Sequence, residues 1–541
     1  MQHNRKFQIL LPLLFAIILI IGVFIGIKIS ATYSSDTSLL QRIATKQSSN
    51  DKINQILDYI QTQYVDTINR KQLVDNTLQE VMQQLDPHSA YITAEESKAA
   101  NEPLQGNFDG IGIEFNIVND TIRVISPIVG GPSEALGIQP GDKIVKVEGK
   151  SVAGVKITNN DVFKKLRGPK GTTVNISVER RGIKKLLDFS IVRNKIPIYS
   201  VDVAYMITKE IGYIKISRFA ATTFDEYLEA FEKLRKQGMK KMVLDIRGNP
   251  GGLLNAAIDL SDEFLSDNKM IVYTEGRAHG RREYKATSSG EFEKNELVVL
   301  IDEGSASASE IVAGAIQDND RGLVVGRRSF GKGLVQEQTD FPDSSAIRLT
   351  TARYYTPTGR CIQKSYKKGI EAYLKEEYER FENGELQSAD SIKFIDSLKF
   401  KTPAGKIVYG GGGIMPDLFV PMDTVGRTTY LTELYYKGVV NQFAFEWADK
   451  NRLQLKTKFH SIEQFVSDFE VGDDMLERLV KQGESMKIKK NEGEFLVSKA
   501  LLKQNIKSLV ARNIWGAEGY YKSQQSSDKA IGKAIEALLR K

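Results

Sequence analysis

Between Ile211 and Asp318 the sequence alternates apolar runs with amphipathic segments, and this alternation constrains the fold more than any other feature. The runs "IGYIKISRF", "KMVLDIRGNPGG" and "ELVVLIDEGSAS" are typical of strands, and the last two pass directly into glycine- or serine-rich loops. The segments "FDEYLEAFEKLRKQG", "LLNAAIDLSDEFL" and "EIVAGAIQD" are typical of helices. Strands that alternate with helices indicate an α/β domain whose helices pack on a sheet.

Ahead of this region the pattern is different. From about Asn107 the chain consists of short strand-like runs broken by Gly, Pro, Asn and Asp, which predicts a compact β module of roughly a hundred residues. Helical spacing of apolar residues over Ile53–Leu85 and the charged, glycine-poor sequence after Gly426 predict helices on both sides. The chain has 541 residues, too many for one hydrophobic core.

The N-terminal run Phe7–Ile27 is apolar, uncharged and about long enough to cross a bilayer as a helix. Arg5 and Lys6 precede it, so the positive-inside rule keeps the N-terminus in the cytoplasm and places the rest outside. We predict a single-pass anchor in a bacterial inner membrane, with the large part in the periplasm or cell exterior. A cleaved signal peptide is the alternative, but the apolar run is longer than the usual h-region.

Composition excludes several classes of function. The formal net charge of +7 is small for this length and the basic residues are scattered, so we expect no nucleic-acid partner. Cys361 is the only cysteine, and the four histidines lie far apart in sequence. We therefore expect neither a metal site nor a cofactor.

Three serines at alternate positions, Ser305, Ser307 and Ser309, precede the helix "EIVAGAIQD". Ser307 and Glu310 fit a capping box, so Ser307 can be interpreted as a helix cap alone. A helix N-terminus after a strand also offers free N–H groups and a positive dipole end, which would stabilise an oxyanion.

The loop "RGNPGG" follows the neighbouring predicted strand, and its glycines let backbone N–H groups approach a ligand. The two loops together predict an oxyanion hole formed by the N–H of Ala308 and that of Gly251 or Gly252. Ordinary turn chemistry is the alternative for both.

A serine nucleophile needs a base, and no histidine lies near either loop in sequence; His279 could reach only through the fold. Lys332, between two glycines in "SFGKGLVQEQ", could act as the base if burial lowers its pKa. Gln336 could hold the lysine or the serine in place. A solvated surface lysine is the alternative.

The motifs "GSASASEIVAGAIQD", "VLDIRGNPGG", "FGKGLVQ" and "GGIMPD", together with "LDPHSAYIT", resemble those of the carboxyl-terminal processing (tail-specific) peptidases. The resemblance covers roughly residues 53–425 and implies a serine endopeptidase with a Ser-Lys dyad, a ClpP/crotonase-like α/β core and an inserted PDZ domain. Its nucleophile, base and supporting glutamine match Ser307, Lys332 and Gln336. Ser305 and Ser309 are then left with structural roles.

The same resemblance makes the early β module a PDZ domain that binds protein or peptide substrates with apolar C-termini. Its carboxylate loop and peptide-binding strand match Gly110, Ile111, Gly112, Ile113 and Phe115. The helix around "NNDVFKKLRG" would form the other wall of the groove. Arg167 in that helix could contact the core, although a solvated arginine is the expectation.

The predicted fold is multidomain α+β, in five parts. They are a cytoplasmic stub and transmembrane anchor (1–30), a linker and N-terminal helical segment (31–95), a PDZ domain (96–195), a Ser-Lys protease core (196–425) and a C-terminal helical extension (426–541). Three roles are open for the extension: it packs on the protease, dimerises it or binds an adaptor, and analogy favours dimerisation.

Two further functions compete with an anchored endopeptidase that cleaves C-terminal tails of envelope proteins. The first is a PDZ scaffold on an inactive protease core, which the intact Ser307, Lys332 and Gln336 disfavour. The second is an acyl-CoA enzyme on a crotonase-type core, which would need neither a PDZ module, a membrane anchor nor Lys332.

Overall fold

The computed structural model describes residues 22–23, 49–394 and 396–540. The predicted anchor Phe7–Ile27 lies outside the described residues except for Gly22 and Val23. Within the described ranges, no helix is long and apolar enough to cross a membrane. The chain forms two compact units, residues 1–81 and 82–541.

The first unit contains helix α1, Ser49–Gln63, and most of helix α2, Arg70–Gln83. Both fall largely within the segment whose spacing predicts helices. The Arg70 guanidinium bonds the Asp58 carboxylate at 2.5 Å and the Gln61 amide oxygen at 3.0 Å, which links the two helices.

The second unit begins with a β-rich module that contains a small antiparallel sheet. The elements up to this sheet's last strand are β1 Ala90–Ile92, α3 Ala94–Gln105, β2 Asn107–Gly110, β3 Ile113–Ile117, β4 Ile122–Pro127, α4 Pro132–Ala135, β5 Lys143–Val147, β6 Lys150–Ser151, α5 Asn159–Leu166, β7 Thr173–Glu179 and β8 Leu187–Val192. The sheet has the order β3-β4-β5-β7-β8, with β6 on β5. Strand β9, Asn194–Pro197, pairs with β2. β3 is thus an edge strand, open to pairing on one side.

The central sheet of the second unit has the strand order β10-β11-β12-β15-β16-β21. Its strands are β10 Val201–Met206, β11 Ile211–Ile216, β12 Lys241–Asp245, β15 Leu297–Ile301, β16 Leu323–Gly326 and β21 Leu418–Phe419. All neighbours are parallel except β10 and β11. The predicted α/β pattern is therefore present, with one antiparallel edge.

Alternate residues of the central strands point to opposite faces of the sheet. Leu244 and Val299 pack under helices α6 Thr223–Lys236, α7 Leu254–Asp262 and α8 Ala308–Asp318. Val243 and Val298 belong to a separate cluster on the other face. We call these the helical face and the opposite face.

A second sheet lies beside the first and has the order β1-β18-β13-β14, with β17 on β18. Its further strands and the elements that follow are β13 Met270–Glu275, β14 Arg282–Lys285, β17 Leu334–Asp340, β18 Ala346–Tyr355, α9 Ile370–Glu382, short 3₁₀ turns at Ala389–Ser391 and Asp396–Leu398, β19 Lys399–Lys401 and β20 Ile407–Tyr409. Tyr373 and Arg380 of α9 are buried, so this helix is anchored on its inner side.

The extension after Gly426 is helical, as its composition predicts. Its helices are α10 Thr429–Tyr436, α11 Val439–Lys458, α12 Ile462–Asp468, α13 Asp473–Ser485, α14 Glu492–Gln524 and α15 Lys529–Leu539. Most of them share one apolar core. Helix α15 instead inserts Ile531 and Leu538 into the cluster on the opposite face of the central sheet. The extension therefore packs on the protease core, one of the three roles expected for it.

Candidate active site

Two loops leave neighbouring parallel strands at the same edge of the central sheet. The glycine loop, residues 247–252, follows β12, and the serine loop, residues 302–307, follows β15. Asn249 is fully buried between them: its carbonyl oxygen accepts the Ala306 N–H at 3.0 Å and the Ser309 hydroxyl at 2.8 Å. Its amide nitrogen donates to the Ile216 carbonyl at 3.1 Å. Asn249 thus fixes the two loops against each other.

Ser307 occupies the strand-to-helix turn that begins α8. Its φ of +56° and ψ of −113° are unusual for a residue with a side chain, a conformation that costs about 1–3 kcal/mol and is common at reactive sites. Its carbonyl oxygen accepts the Tyr354 hydroxyl at 3.1 Å, and its N–H donates to Glu310 at 2.8 Å. The Glu310 half of the expected capping box is therefore formed around a half-buried Ser307.

Ser305 and Ser309 fix the serine loop through buried hydrogen bonds. Both are fully buried, and their hydroxyls donate to backbone carbonyls, Ser305 to Ile246 at 2.9 Å and Ser309 to Asn249 at 2.8 Å. Ile246 and Asn249 both belong to the chain that leaves β12. Ser305 and Ser309 therefore connect the serine loop to the chain after β12, whereas Ser307 lines the cavity described below.

Glu310 is a buried carboxylate that contacts both halves of the site. One oxygen accepts the N–H groups of Ser307 at 2.8 Å and Lys332 at 2.9 Å. The other accepts the Ser329 hydroxyl at 2.5 Å and the Gly331 N–H at 2.7 Å. Burial raises the pKa of Glu310 to about 7, against the opposing effect of these hydrogen bonds. This one side chain sets the backbone spacing between Ser307 and Lys332.

Lys332 is half-buried at the entry to β17. Burial lowers the pKa of its ammonium group below the ordinary value, and the nearby Arg348 guanidinium lowers it further. Glu310 and Asp86 act in the opposite direction, and the net shift is downward. A lysine with a lowered pKa is neutral at a lower pH than a solvated one, as a general base requires.

Gln336 is part of a chain of hydrogen bonds that reaches the "LDPHS" segment. Its amide nitrogen donates to the Thr350 hydroxyl at 3.2 Å, and the Thr350 N–H donates to the Ser89 hydroxyl at 3.1 Å. Ser89 in turn donates to Asp86 at 2.6 Å. Because the amide nitrogen donates to Thr350, the carbonyl oxygen of Gln336 is the end that can accept a hydrogen bond from a neighbouring ammonium group.

The three predicted oxyanion-hole residues differ in what their N–H groups do. The Gly251 N–H donates to the Asn249 side chain at 2.8 Å, so it is already engaged. Within the described ranges, the N–H groups of Gly252 and Ala308 make no hydrogen bond. Of the two glycine alternatives, Gly252 is thus the one with an available donor. Gly251 lets the glycine loop approach the serine loop closely, because a Cβ at this position would lie 2.8 Å from the Cβ of Ser307.

A cavity of about 610 Å³ joins these groups, and we call it the catalytic cavity. All six residues of the predicted catalytic site line it: Ser307, Lys332, Gln336, Gly251, Gly252 and Ala308. His279 lines a neighbouring cavity of about 760 Å³ instead, and it is exposed. No group of residues that could hold a metal ion occurs in the described part of the chain.

The five residues predicted to bind the substrate C-terminus lie at the start of the small sheet. Gly110 ends β2, and Gly112 has a φ of +74°. Ile113 and Phe115 belong to the edge strand β3 and are half-buried. Ile111 is 2% exposed and packs in the core of the module, so its side chain is not available to line a groove.

Across from β3, helix α5 forms a second wall. The rings of Phe115 and Phe163 meet edge to face with centroids 5.8 Å apart. Arg167, for which a solvated position was expected, instead bonds Glu102 at 2.6 Å and lies over the Phe108 and Phe163 rings. That expectation was wrong, because the charge has a partner and the aliphatic stem has aromatic faces to cover.

Several residues that organise the site were not recognised as such from the sequence. Asn249 lies within a loop singled out only for its glycines, and Asp86 and Ser89 within a motif used only for its resemblance. Glu310 was recognised as a capping residue, but its contacts to Ser329 and Lys332 depend on the fold. The sequence signal that could have indicated these roles is the presence of a polar residue inside each motif.

Four family models match the chain. Peptidase family S41 matches residues 210–373, and the PDZ domain matches residues 123–180. The N-terminal domain of the activating protease CtpB matches residues 17–96, and a family of unknown function matches residues 430–516. The match to peptidase family S41 and the match to a PDZ domain define this chain as a serine peptidase with a PDZ domain.

Curated relatives specify the class further. The carboxy-terminal-processing protease of Bartonella bacilliformis is 38% identical over 352 residues, 64% of this chain and 80% of the relative. Carboxy-terminal processing protease CtpA of Bacillus subtilis is 36% identical over 367 residues, 67% of this chain and 77% of the relative. The solved photosystem II D1 C-terminal processing protease is 26% identical, with 68% of this chain and 86% of that chain covered and a TM-score of 0.35. The chain belongs to the carboxy-terminal processing proteases of peptidase family S41.

Proposed function

We propose that this chain is a membrane-anchored serine endopeptidase that captures apolar C-terminal tails of envelope proteins in its PDZ groove and cleaves them by a Ser-Lys mechanism. One observation carries the mechanism: Ser307, Lys332 and Gln336 line the same cavity as the unpaired N–H groups of Ala308 and Gly252. This combination supplies a nucleophile, a base and two oxyanion donors.

In the first half-reaction, neutral Lys332 accepts the hydroxyl proton of Ser307 while the serine oxygen attacks the scissile carbonyl carbon. The carbonyl oxygen becomes an oxyanion, to which Ala308 and Gly252 donate their N–H groups. The resulting ammonium of Lys332 is held by the carbonyl oxygen of Gln336. It then gives its proton to the amine leaving group, and the C–N bond breaks to leave an ester on Ser307.

In the second half-reaction, Lys332 accepts a proton from water as the water oxygen attacks the ester. The proton returns to Ser307 as the ester bond breaks and the carboxylic acid product leaves. Lys332 is again neutral, so the cycle closes with one water consumed per peptide bond.

The PDZ domain provides capture before cleavage. The edge strand β3 is open to pairing, and the N–H of Gly112 makes no hydrogen bond among the described residues. A peptide can therefore add as a strand and place its terminal carboxylate on this loop. Tethering raises the local concentration of the tail to about the millimolar range for a short connection.

The anchor and the location are proposals from the sequence. The uncharged run Phe7–Ile27, with Arg5 and Lys6 ahead of it, supports a single-pass anchor and a catalytic part on the periplasmic or outer side. A homodimer or an adaptor on the C-terminal helices and the five-part division of the chain also stay predictions.

Peptide cleavage by purified variants tests the mechanism. We expect Ser307→Ala, Lys332→Ala and Lys332→Arg each to lose activity by at least about 10⁴-fold, because arginine does not deprotonate in proteins. Wild-type activity should rise with pH through a lysine pKa below the ordinary value. Substantial turnover by Lys332→Arg would exclude Lys332 as the base, and melting curves would show that each variant is folded.

A further inference from the structure

The catalytic cavity has an unusual charge composition. Three cationic side chains, Arg218, Lys332 and Arg348, line it, and none of the described residues that line it is Asp or Glu. In the proposed mechanism Lys332 is neutral when substrate binds, which leaves two positive charges. A cationic cavity lining without acidic residues favours ligands that carry negative charge.

Arg218 is the more exceptional of the two arginines. It follows β11, it is half-buried, and its Nε is buried without a hydrogen-bond partner. No described residue forms an ion pair or hydrogen bond with its guanidinium. Buried arginine groups are normally paired, and a buried donor left unpaired costs about 1–3 kcal/mol. An unpaired arginine at a binding cavity indicates that its partner comes from the ligand.

Arg348 of β18 is also uncompensated. Its Nη2 donates to the side-chain oxygens of Gln338 at 2.9 Å and Asn101 at 3.4 Å. Both partners are neutral amides, so they orient the guanidinium without cancelling its charge. Arg348 also lies close enough to Lys332 to affect its ionisation, so we treat it as part of the catalytic surroundings rather than as the test residue.

We propose that Arg218 forms a carboxylate-binding subsite in the catalytic cavity, which selects peptides that carry a carboxylate close to the scissile bond. Guanidinium is suited to this role because its fork of N–H donors matches a carboxylate in a bidentate arrangement. The carboxylate has two sources, an Asp or Glu side chain or the free chain terminus. The proposal rests on the proposed function and specifies its substrates.

Matched peptides separate these sources. One series moves a single Glu through the positions on both sides of the cleavage site, each with a Gln counterpart and an amidated C-terminus. A second pair has no acidic residue and differs only in a free or amidated C-terminus. The measurement is the ratio of kcat/KM between the two members of each pair, for wild type and for Arg218→Gln. Both enzymes have the same PDZ groove, so a change in the ratio reports on Arg218.

We expect at least one pair to show a preference of about tenfold for the carboxylate in wild type, as for a charge-assisted hydrogen bond. That preference should disappear in Arg218→Gln and persist in part in Arg218→Lys. A preference in the Glu series identifies an acidic side chain, and a preference in the second pair identifies the chain terminus. Arg478→Gln, at an exposed position on α13, should leave every ratio unchanged.

A kcat/KM ratio near one for every pair in wild type would overturn the proposed subsite, and so would a carboxylate preference that survives in Arg218→Gln. The neutral amidated peptide keeps this result separate from the proposed function. If wild type cleaves that peptide and Ser307→Ala does not, the serine mechanism stands whatever the ratios. Arg218→Glu gives a second check. Its preference should move toward a Lys-containing peptide, a reversal that a folding defect would not produce.

Discussion

The two faces of the central sheet are closed in different ways. Helices α6, α7 and α8 cover the helical face, and each follows one of the strands that it covers. Helix α15 covers the opposite face, and it belongs to the C-terminal extension. One face is built from neighbouring segments of sequence and the other from a distant one.

The polar groups at the carboxyl edge of the sheet show the same contrast. On the helical face, Asn249 joins the glycine loop to the serine loop, and Glu310 joins Ser307 to the segment that carries Lys332. On the opposite face, Arg247 of the glycine loop bonds Asp245 at 2.5 Å and Asp528, the N-cap of α15, at 2.8 Å. Burial acts against ionisation of Asp245, but the Arg247 and Lys215 cations hold its pKa well below the usual range. The glycine loop is therefore fixed from both faces: Asn249 bonds the serine loop on the helical face, and Arg247 bonds Asp528 of the extension on the opposite face.

The largest effect is expected on the helical face. Glu310→Gln keeps the shape of the side chain but turns one acceptor oxygen into a donor, so the Ser307 and Lys332 backbones lose their common anchor. We expect kcat to fall by about 100-fold, the effect of a displacement near 1 Å in a catalytic group. Because the negative charge of Glu310 raises the pKa of Lys332, its loss should also move the acidic limb of the pH–rate profile to lower pH.

A pH series on wild type and Glu310→Gln measures both changes. Glu310→Asp is the matched control, since it keeps the charge and shortens the side chain. It should lower kcat without moving the acidic limb downward. An unchanged kcat in Glu310→Gln would show that the helical face does not need this carboxylate to align the site.

A smaller effect is expected from the opposite face. Asp528 accepts the N–H groups of Ala530 and Ile531 as a helix cap and also pairs with Arg247. Asp528→Asn preserves capping and removes the charge, whereas Asp528→Ala removes both. We expect about a tenfold loss of kcat/KM in both variants. Only Asp528→Ala should lose a further ~1 kcal/mol of unfolding free energy.

A double-mutant cycle with Arg247→Gln measures the coupling between the two side chains. If the extension acts on the glycine loop through this pair, Asp528→Asn should have little additional effect once Arg247 is replaced. Additive losses in activity would mean that the two residues act independently, and the extension would then contribute stability alone.

The smallest effect on turnover is expected from the apolar contacts of the opposite face. Ile531 is 3% exposed and packs against the sheet near the start of α15, and its apolar side chain takes no part in the Arg247–Asp528 pair. Ile531→Ala should lower the free energy of unfolding by about 2–4 kcal/mol through the cavity that it leaves. At 25 °C we expect kcat to stay within about twofold of wild type. Chemical denaturation and initial rates on one preparation give both values, and a large fall in kcat would remove the distinction between the faces.

The helical face was the part that the sequence could predict. Its strand-loop-helix units are local, so apolar periodicity and the glycine and serine loops indicated both β12 and β15 and the position of Ser307. Family motifs then identified Lys332 and Gln336 as candidates. The interpretation of Arg167 as solvated failed because its partner Glu102 lies 65 residues earlier in the chain.

The opposite face could not be predicted in this way. The apolar spacing of α15 indicates a helix with one buried side, but it does not indicate which surface that side covers. Arg247 and Arg218 are both arginines beside the ends of strands. Local sequence gives Arg247 one carboxylate, Asp245, two residues earlier, but it does not indicate the second partner, Asp528. Nor does it indicate that Arg218 lacks a partner among the described residues, because that depends on the distribution of carboxylates in space.

The position of α15 has a consequence for how the protein is made. About 190 residues separate Gln336, the last of the proposed catalytic residues, from Lys529, the start of α15. At about 5–20 residues per second, a ribosome needs roughly 10–40 s to synthesise that interval. During this time α15 does not yet cover the opposite face of the sheet and Arg247 lacks Asp528, although every proposed catalytic residue has already been synthesised. The growing chain therefore has its complete set of proposed catalytic side chains before it has the Arg247–Asp528 pair that fixes the glycine loop, and we expect full activity only after α15 has been synthesised.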